Sequence, residues 1–243
     1  MNGVNVQSLG QAGYFITSDG LRIVIDPYLS DSCGAADERF GRLFPPPIAP
    51  EDLDADVMII THNHTDHLDP ATIGPYRHKA TTRFIAPRLT APALAALGVP
   101  ESNISIVDHA GELSLPGVTV TGVFALGTTP DSVDTCGYLL TFPSGQTIYT
   151  CSDTSWCDLL AQCAPKDVGL LLVCINGHFG NMDIDQALLL TKAVRPRIVV
   201  PNHYDVMALN SENPEIFRLL YDQAGLPGQC VILAAGESVT IGG

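Results

Sequence analysis

His62-Asn63-His64-Thr65-Asp66-His67 constrains this chain more than any other stretch. It packs three histidines and an aspartate into six residues, directly behind the apolar run Val57-Met58-Ile59-Ile60-Thr61. Such a run reads as a buried strand. A short turn leaving its end can aim His62 and His64 at one point and Asp66 and His67 at a neighbouring one. A helix cannot, because its facing positions are i, i+3 and i+4. Imidazole together with carboxylate suits zinc, manganese or iron. With only seven histidines in the chain, three in one turn are better explained by a metal than by a solvated polar loop.

A metal turn at one strand end needs partners from elsewhere, and the order of elements supplies them. Residues 4–9, 14–17 and 21–25 read as strands, separated by turn chemistry at Gly10-Gln11-Ala12-Gly13 and Ser18-Asp19-Gly20. The glycines at 10 and 13 lie between strands and lack G-x-G-x-x-G, so they form no dinucleotide fingerprint. Further strands are expected at 57–61, 83–86, 104–107, 118–126, 137–142, 147–150, 168–175, 197–200, 231–234 and 238–241. Helices are expected at 87–97 (closed by Gly98), 154–163, 184–194 (with Asp183 as N-cap) and 214–224 (with proline at its start). Strands followed by strands mixed with helices, twice over, indicate two sheets between helices. Asp26, His62, Asp153 and His203 each fall at or just past the C-terminal end of an expected strand. Side chains at one sheet edge can converge although they are distant in sequence.

These residues resemble the metallo-β-lactamase superfamily, metal-dependent hydrolases with an αββα four-layer sandwich. The turn from His62 to His67 is similar to its central motif, Asp26 to its early aspartate, Asp153 in Cys151-Ser152-Asp153-Thr154 to its bridging aspartate, and His203 to its late histidine. Within the superfamily the chain looks most like the L-ascorbate-6-phosphate lactonase-like branch, through Leu9-Gly10-Gln11-Ala12-Gly13, Ile175-Asn176-Gly177 with Gly180-Asn181-Met182, and Pro201-Asn202-His203-Tyr204-Asp205 running on to Asn213-Pro214. The resemblance implies an α/β fold, one hydrolase domain over 1–243, and a divalent ion, manganese or zinc. It also implies a homo-oligomer acting on a small molecule. Asp26 would orient the cluster from behind the ligands.

One position departs from the superfamily pattern. A third histidine is expected between the strand at 118–126 and Asp153, but the segment Gly127-Thr128-Thr129-Pro130-Asp131-Ser132-Val133-Asp134 has none. The first site keeps His62, His64 and Asp153. The second keeps Asp66, His67, Asp153 and His203. One strong metal and at most a weak second one follow, unless Asp131 or Asp134 repairs the first site. No G-x-S-x-G and no S-x-x-K occurs, so the nucleophile is expected to be water activated by the ion, with Asp66 as its base. The expected reaction is hydrolysis of a lactone. A phosphodiesterase and a metal-binding regulatory protein without turnover are the alternatives.

Other residues carry weaker expectations. His178 follows Gly177 near the same sheet edge and is a candidate proton donor or substrate contact, or a rim histidine. Arg39 and Arg42 lie in a long loop over residues 28–50 that is expected to fold over the site. They can clamp an anionic substrate or pair with neighbouring carboxylates. Trp156 either covers the pocket or fills core. His78 and His109 read as solvated or turn residues. Seven cysteines, an odd number without C-x-x-C, read as reduced thiols of a cytoplasmic protein. The opening residues lack a basic and apolar leader, and no apolar run is long enough to span a membrane. The net charge of -14 argues against a nucleic-acid partner.

Overall fold

The structure, a computed structural model, describes residues 3–242. Met1 and Asn2, where the leader reading begins, and Gly243, the end of the 1–243 domain reading, lie outside them.

Alternation of apolar side chains builds two sheets. The first contains β1 (Val4–Gly10), β2 (Gly13–Ser18), β3 (Leu21–Ile25), β4 (Val57–Ile59), β5 (Arg83–Ala86) and β6 (Ile104–Ile106). The second contains β7 (Glu112–Leu115), β8 (Val118–Phe124), β9 (Cys136–Thr141), β10 (Thr147–Thr150), β11 (Leu170–Cys174), β12 (Ile198–Asn202) and β13 (Gln229–Cys230). The last strand, β14 (Ser238–Ile241), returns to the first sheet. The strand orders are β14-β1-β2-β3-β4-β5-β6 and β13-β12-β11-β10-β9-β8-β7. From β3 to β6, and from β10 to β13, neighbours run parallel.

Successive side chains of a strand face opposite sides. In β3 and β4, Ile23, Ile25, Val57 and Ile59 therefore join Tyr138, Leu140, Leu170 and Leu172 in a core between the sheets. Val24, Met58 and Phe84 point outward, onto α2 (Pro70–Ile73) and α3 (Ala91–Ala96). On the far side, Tyr149, Leu171, Val173 and Val199 meet α4 (Asp158–Cys163), α5 (Ile184–Val194) and α6 (Pro214–Gln223). This is the expected four-layer αββα arrangement. Full burial of each such side chain contributes about 1.5–3 kcal/mol. Among the described residues no helix is long and apolar enough to cross a membrane, and all seven cysteines are free thiols.

Several expected boundaries move, each for a local reason. The helix read at 154–163 begins only at Asp158, because Thr154 and Ser155 bond sideways: Thr154 Oγ1 accepts from Leu126 N, and Ser155 N donates to Leu126 O. The same bonds end the strand read at 118–126 at Phe124. The helix read at 87–97 begins at Ala91, after a turn closed by Thr90 N on Pro87 O. The strand read at 231–234 is absent. The ladder there is Gln229–Cys230, and the chain then turns so that Ala234 N bonds Glu237 Oε2. Strand β7, whose side chains are exposed or half-buried, carries too little apolar signal to be read from sequence.

The long loop holds α1 (Ser32–Ala36) and a helical turn over Glu38–Phe40. Its base is fastened by Asp69, a buried carboxylate that caps α2. Asp69 Oδ1 accepts from Ser30 Oγ at 2.9 Å and Ser32 Oγ at 2.8 Å. Its return is fastened by Arg42, which donates to Tyr28 O at 2.9 Å and Phe44 O at 3.1 Å and lies 4.9 Å from the Tyr28 ring centre.

Candidate metal centre

The parallel strands of both sheets end at the same edge, and Asp26, the turn after β4, Asp153 and His203 meet there. Backbone strain marks the place. Gln11, Asp26, Ser152 and His203 adopt φ of 54°, 41°, 61° and 65°, the left-handed region that non-glycine residues avoid. Such strain persists only where the surroundings over-determine it, and it concentrates at functional sites.

Hydrogen bonds set each side chain. Asp26 is buried. Its Oδ1 accepts from Thr61 N at 2.8 Å, and its Oδ2 accepts from Thr61 Oγ1 at 2.6 Å and His67 Nδ1 at 2.8 Å. That bond turns His67 Nε2, on the opposite side of the ring, toward the cluster. The Asn210 amide donates to the His203 carbonyl at 3.1 Å and lies 3.2 Å from its Nδ1, which fixes the second ring. Asn181 Nδ2 donates to Asp153 Oδ2 at 2.8 Å, and Gln11 Nε2 donates to Asp66 Oδ2 at 2.8 Å.

The remaining donor atoms face one another. His203 Nε2 lies 3.1 Å from Asp153 Oδ1, 3.2 Å from Asp66 Oδ2 and 3.3 Å from His67 Nε2. His67 Nε2 lies 3.3 Å from Asp153 Oδ1 and 3.6 Å from Asp66 Oδ2. Ligand atoms about 2.1 Å from a tetrahedral ion stand about 3.4 Å apart. Asp66, His67 and His203, whose donor atoms all lie within 4.8 Å of one another, therefore suit a divalent cation, and Asp153 Oδ1 lies within reach of both imidazoles. Asp153 Oδ1 adds a second observation: it is buried, and none of its close contacts is aligned as a hydrogen bond. A buried carboxylate oxygen in that condition is suited to a cation.

Electrostatics agree. Burial alone would raise the Asp66 and Asp153 carboxyls, but the charges of His67 and His203 outweigh it and hold both below the usual range. Burial alone would lower His67 and His203. Asp153, with Asp66, reverses it, lifting His67 well above its ordinary value and His203 to about 10. Both imidazoles hold protons at neutral pH, and a metal must displace them. Metal binding is therefore expected to release protons and to weaken as pH falls. Calorimetric titration in two buffers of different ionisation enthalpy reads the proton count. A buffer-independent heat would contradict it.

The first site is less complete. His62 is neutral, held low by burial and by the charge of His67, and its Nε2 faces His64 Nδ1 at 3.0 Å. His62, His67 and Asp153 also offer donor atoms within 4.8 Å of one another, so His67 is shared between this group and that of Asp66, His67 and His203. The segment without the third histidine holds His64 from behind. Thr129 Oγ1 lies 2.9 Å from His64 Nε2 and donates to Asp131 Oδ1 at 2.6 Å. Asp134 is elsewhere, accepting from Leu89 N at 2.7 Å.

A cavity of about 360 Å³ opens above the cluster. Its floor includes His64, Asp66, Asp153 and His203, and its walls include Cys33, Ala36, Phe40, Phe179 and Met207. The long loop forms one wall, as expected, but Arg39 and Arg42 do not line it. Arg39 projects outward and pairs with Asp37 through two hydrogen bonds of 3.0 and 2.6 Å. Arg42 is used to close the loop. His178 is exposed, and its neighbours Phe179 and Asn181 reach the cavity in its place. Trp156 packs against the outer core of the second sheet.

Sequence reasoning missed Gln11, Asn181, Asn210 and Thr129 as site residues. The first two lie in segments that carried the family resemblance, which was the only available signal. Neutral amides and hydroxyls otherwise look like ordinary turn residues.

A family model for the beta-lactamase superfamily domain matches residues 21–204. A UPF0173 metal-dependent hydrolase from Thermococcus kodakarensis is 30% identical over 247 residues, covering 98% of this chain and 100% of the relative. Another from Hyperthermus butylicus is 28% identical over 239 residues, covering 96% and 97%. The solved structure of Igni18, a novel metallo hydrolase from Ignicoccus hospitalis, is similar with a TM-score of 0.77 at 25% identity, over 99% of each chain.

Proposed function

The chain belongs to the beta-lactamase superfamily and to its UPF0173 metal-dependent hydrolases, and from that premise we propose that it uses manganese or zinc to hydrolyse a small ester-like bond, with a lactone as the leading substrate. The observation that carries this reading is the meeting of His67 and His203, 3.3 Å apart, with the carboxylates of Asp66 and Asp153, each 3.1–3.6 Å from both imidazoles, beneath the cavity.

A divalent ion held by these residues would acidify water and polarise the carbonyl oxygen of the scissile bond. The chain's own groups do the rest. Asp66 is the more open of the two carboxylates, 19% against 6% exposed, and takes the proton of the attacking water. Gln11 holds its Oδ2 in place. Asp26 and Asn181 keep His67 and Asp153 turned to the cluster. Phe40, Phe179 and Met207 keep bulk water off the floor.

Carbonyl chemistry is favoured over phosphodiester chemistry because a phosphoryl clamp uses two ions, and the His62–His64 side lacks a third histidine. Purified protein, dialysed exhaustively without added ions, is expected to retain one equivalent of metal. Its lactone hydrolysis should stop on chelation and return with metal. Two tightly retained equivalents with faster turnover of a phosphodiester would favour the phosphodiesterase. Bound metal without turnover of either class would favour a regulatory protein.

A further inference from the structure

We propose that Phe40 and Phe179 form an aromatic clamp at the cavity mouth that selects substrates whose body is uncharged and apolar, and that the phosphate-bearing lactone of the branch the sequence resembles is not the substrate. The inference rests on the hydrolase reading only for the bond that reacts.

Phe179 is held at a cost. It sits at φ 56° between Gly177 and Gly180, both at positive φ, and is 51% exposed. A non-glycine residue there is strained, because its Cβ crowds the following carbonyl. The turn is pinned on both sides. Gly177 N donates to Met182 O at 3.0 Å, Asn181 N to His178 O at 3.0 Å, and Ser155 Oγ to Gly180 O at 2.7 Å. A pinned, strained turn that lifts a half-exposed ring is explained by what the ring meets. It meets Phe40 across the cavity mouth, with ring centres 5.7 Å apart and planes inclined by 47°. Phe40 comes from the long loop and packs on Tyr28 and Met207.

Charge points the same way. Among the described residues no lysine or arginine lines this cavity. Asp37, which does line it, is neutralised by Arg39, and Arg42 is committed to backbone carbonyls. A phosphate or carboxylate tail at the mouth would find no lysine or arginine to pair with and would enter against the net charge of -14. An aromatic or alkyl body that packs on this ring pair gains contact with both rings and loses no hydrogen bond.

The test uses the metal-loaded protein and two lactams, which mimic a lactone and resist hydrolysis: a phenyl-substituted γ-lactam, and the same lactam with a sulfonate on its phenyl ring. Calorimetry is expected to give the neutral lactam at least tenfold tighter binding. Phe179→Gly, which relieves the backbone strain, should weaken that binding about tenfold while thermal stability holds or rises, and Phe179→Trp should restore it. Phe40→Ala should weaken it similarly. Equal or tighter binding of the sulfonate, indifference to Phe179→Gly, or binding of neither lactam overturns the clamp. If the lactams behave as expected but no lactone or ester is turned over, the hydrolytic reading fails and the clamp stands.

Discussion

Asp66→Asn is expected to cut hydrolysis by about a hundredfold or more while the protein stays folded. The side chain lies on the cavity floor, its Oδ2 held by Gln11 at 2.8 Å and 3.2 Å from His203 Nε2. Asparagine fills the same space and can still present an oxygen to the Gln11 amide, but it cannot take a proton from water. Turnover and metal content should be measured together. Lost turnover with metal retained assigns Asp66 the proton transfer. Lost turnover with metal lost assigns it to holding the ion. Full turnover leaves it without either role.

The second large effect is expected behind the cluster. Asp26→Ala removes the acceptor for three hydrogen bonds at once: from Thr61 N, Thr61 Oγ1 and His67 Nδ1. These donors are buried. Thr61 Oγ1 can turn to His62 Nδ1, 3.0 Å away, but each donor left unpaired costs about 1–3 kcal/mol. His67 would also lose the bond that sets its ring, which weakens metal affinity by about 10–100-fold. Asp26→Asn should be milder, since asparagine tolerates φ of 41° and keeps one oxygen. Denaturant unfolding and metal competition read the two parts separately. A stable Asp26→Ala protein with undiminished affinity would show that His67 is oriented by other contacts.

The candidate ligands were legible because imidazole and carboxylate are rare in such density, and because strand ends can be read from apolar runs. His62 to His67, Asp26, Asp153 and His203 needed only those two facts and the family resemblance. The fold was legible for the same reason: Leu21–Ile25, Arg83–Ala86 and Ile184–Val194 have clear periodicity and clear ends. The orienting groups were not. Gln11, Asn181 and Asn210 act through single hydrogen bonds across large sequence separations, which leave no periodic trace. The directions of Arg39 and Arg42 were equally hidden. An arginine beside a cavity in sequence can close a loop, as Arg42 does, or pair with a neighbour, as Arg39 does. Only the course of the chain decides.

That course gives the long loop a property of its own. Ser30 and Ser32 are tied to Asp69, two residues past His67, while Arg42 N bonds Asp31 Oδ1 at 2.9 Å and Leu43 N bonds Val206 O at 2.9 Å. Both ends are thus riveted to the scaffold that carries the metal turn, and the intervening residues 33–41 present Cys33, Ala36, Asp37 and Phe40 to the cavity. The segment is an interchangeable cassette. Transplanting residues 33–41 between relatives would exchange one cavity wall and leave every rivet intact, whereas a graft cut one turn wider would sever the Asp69 tie and loosen the motif it adjoins.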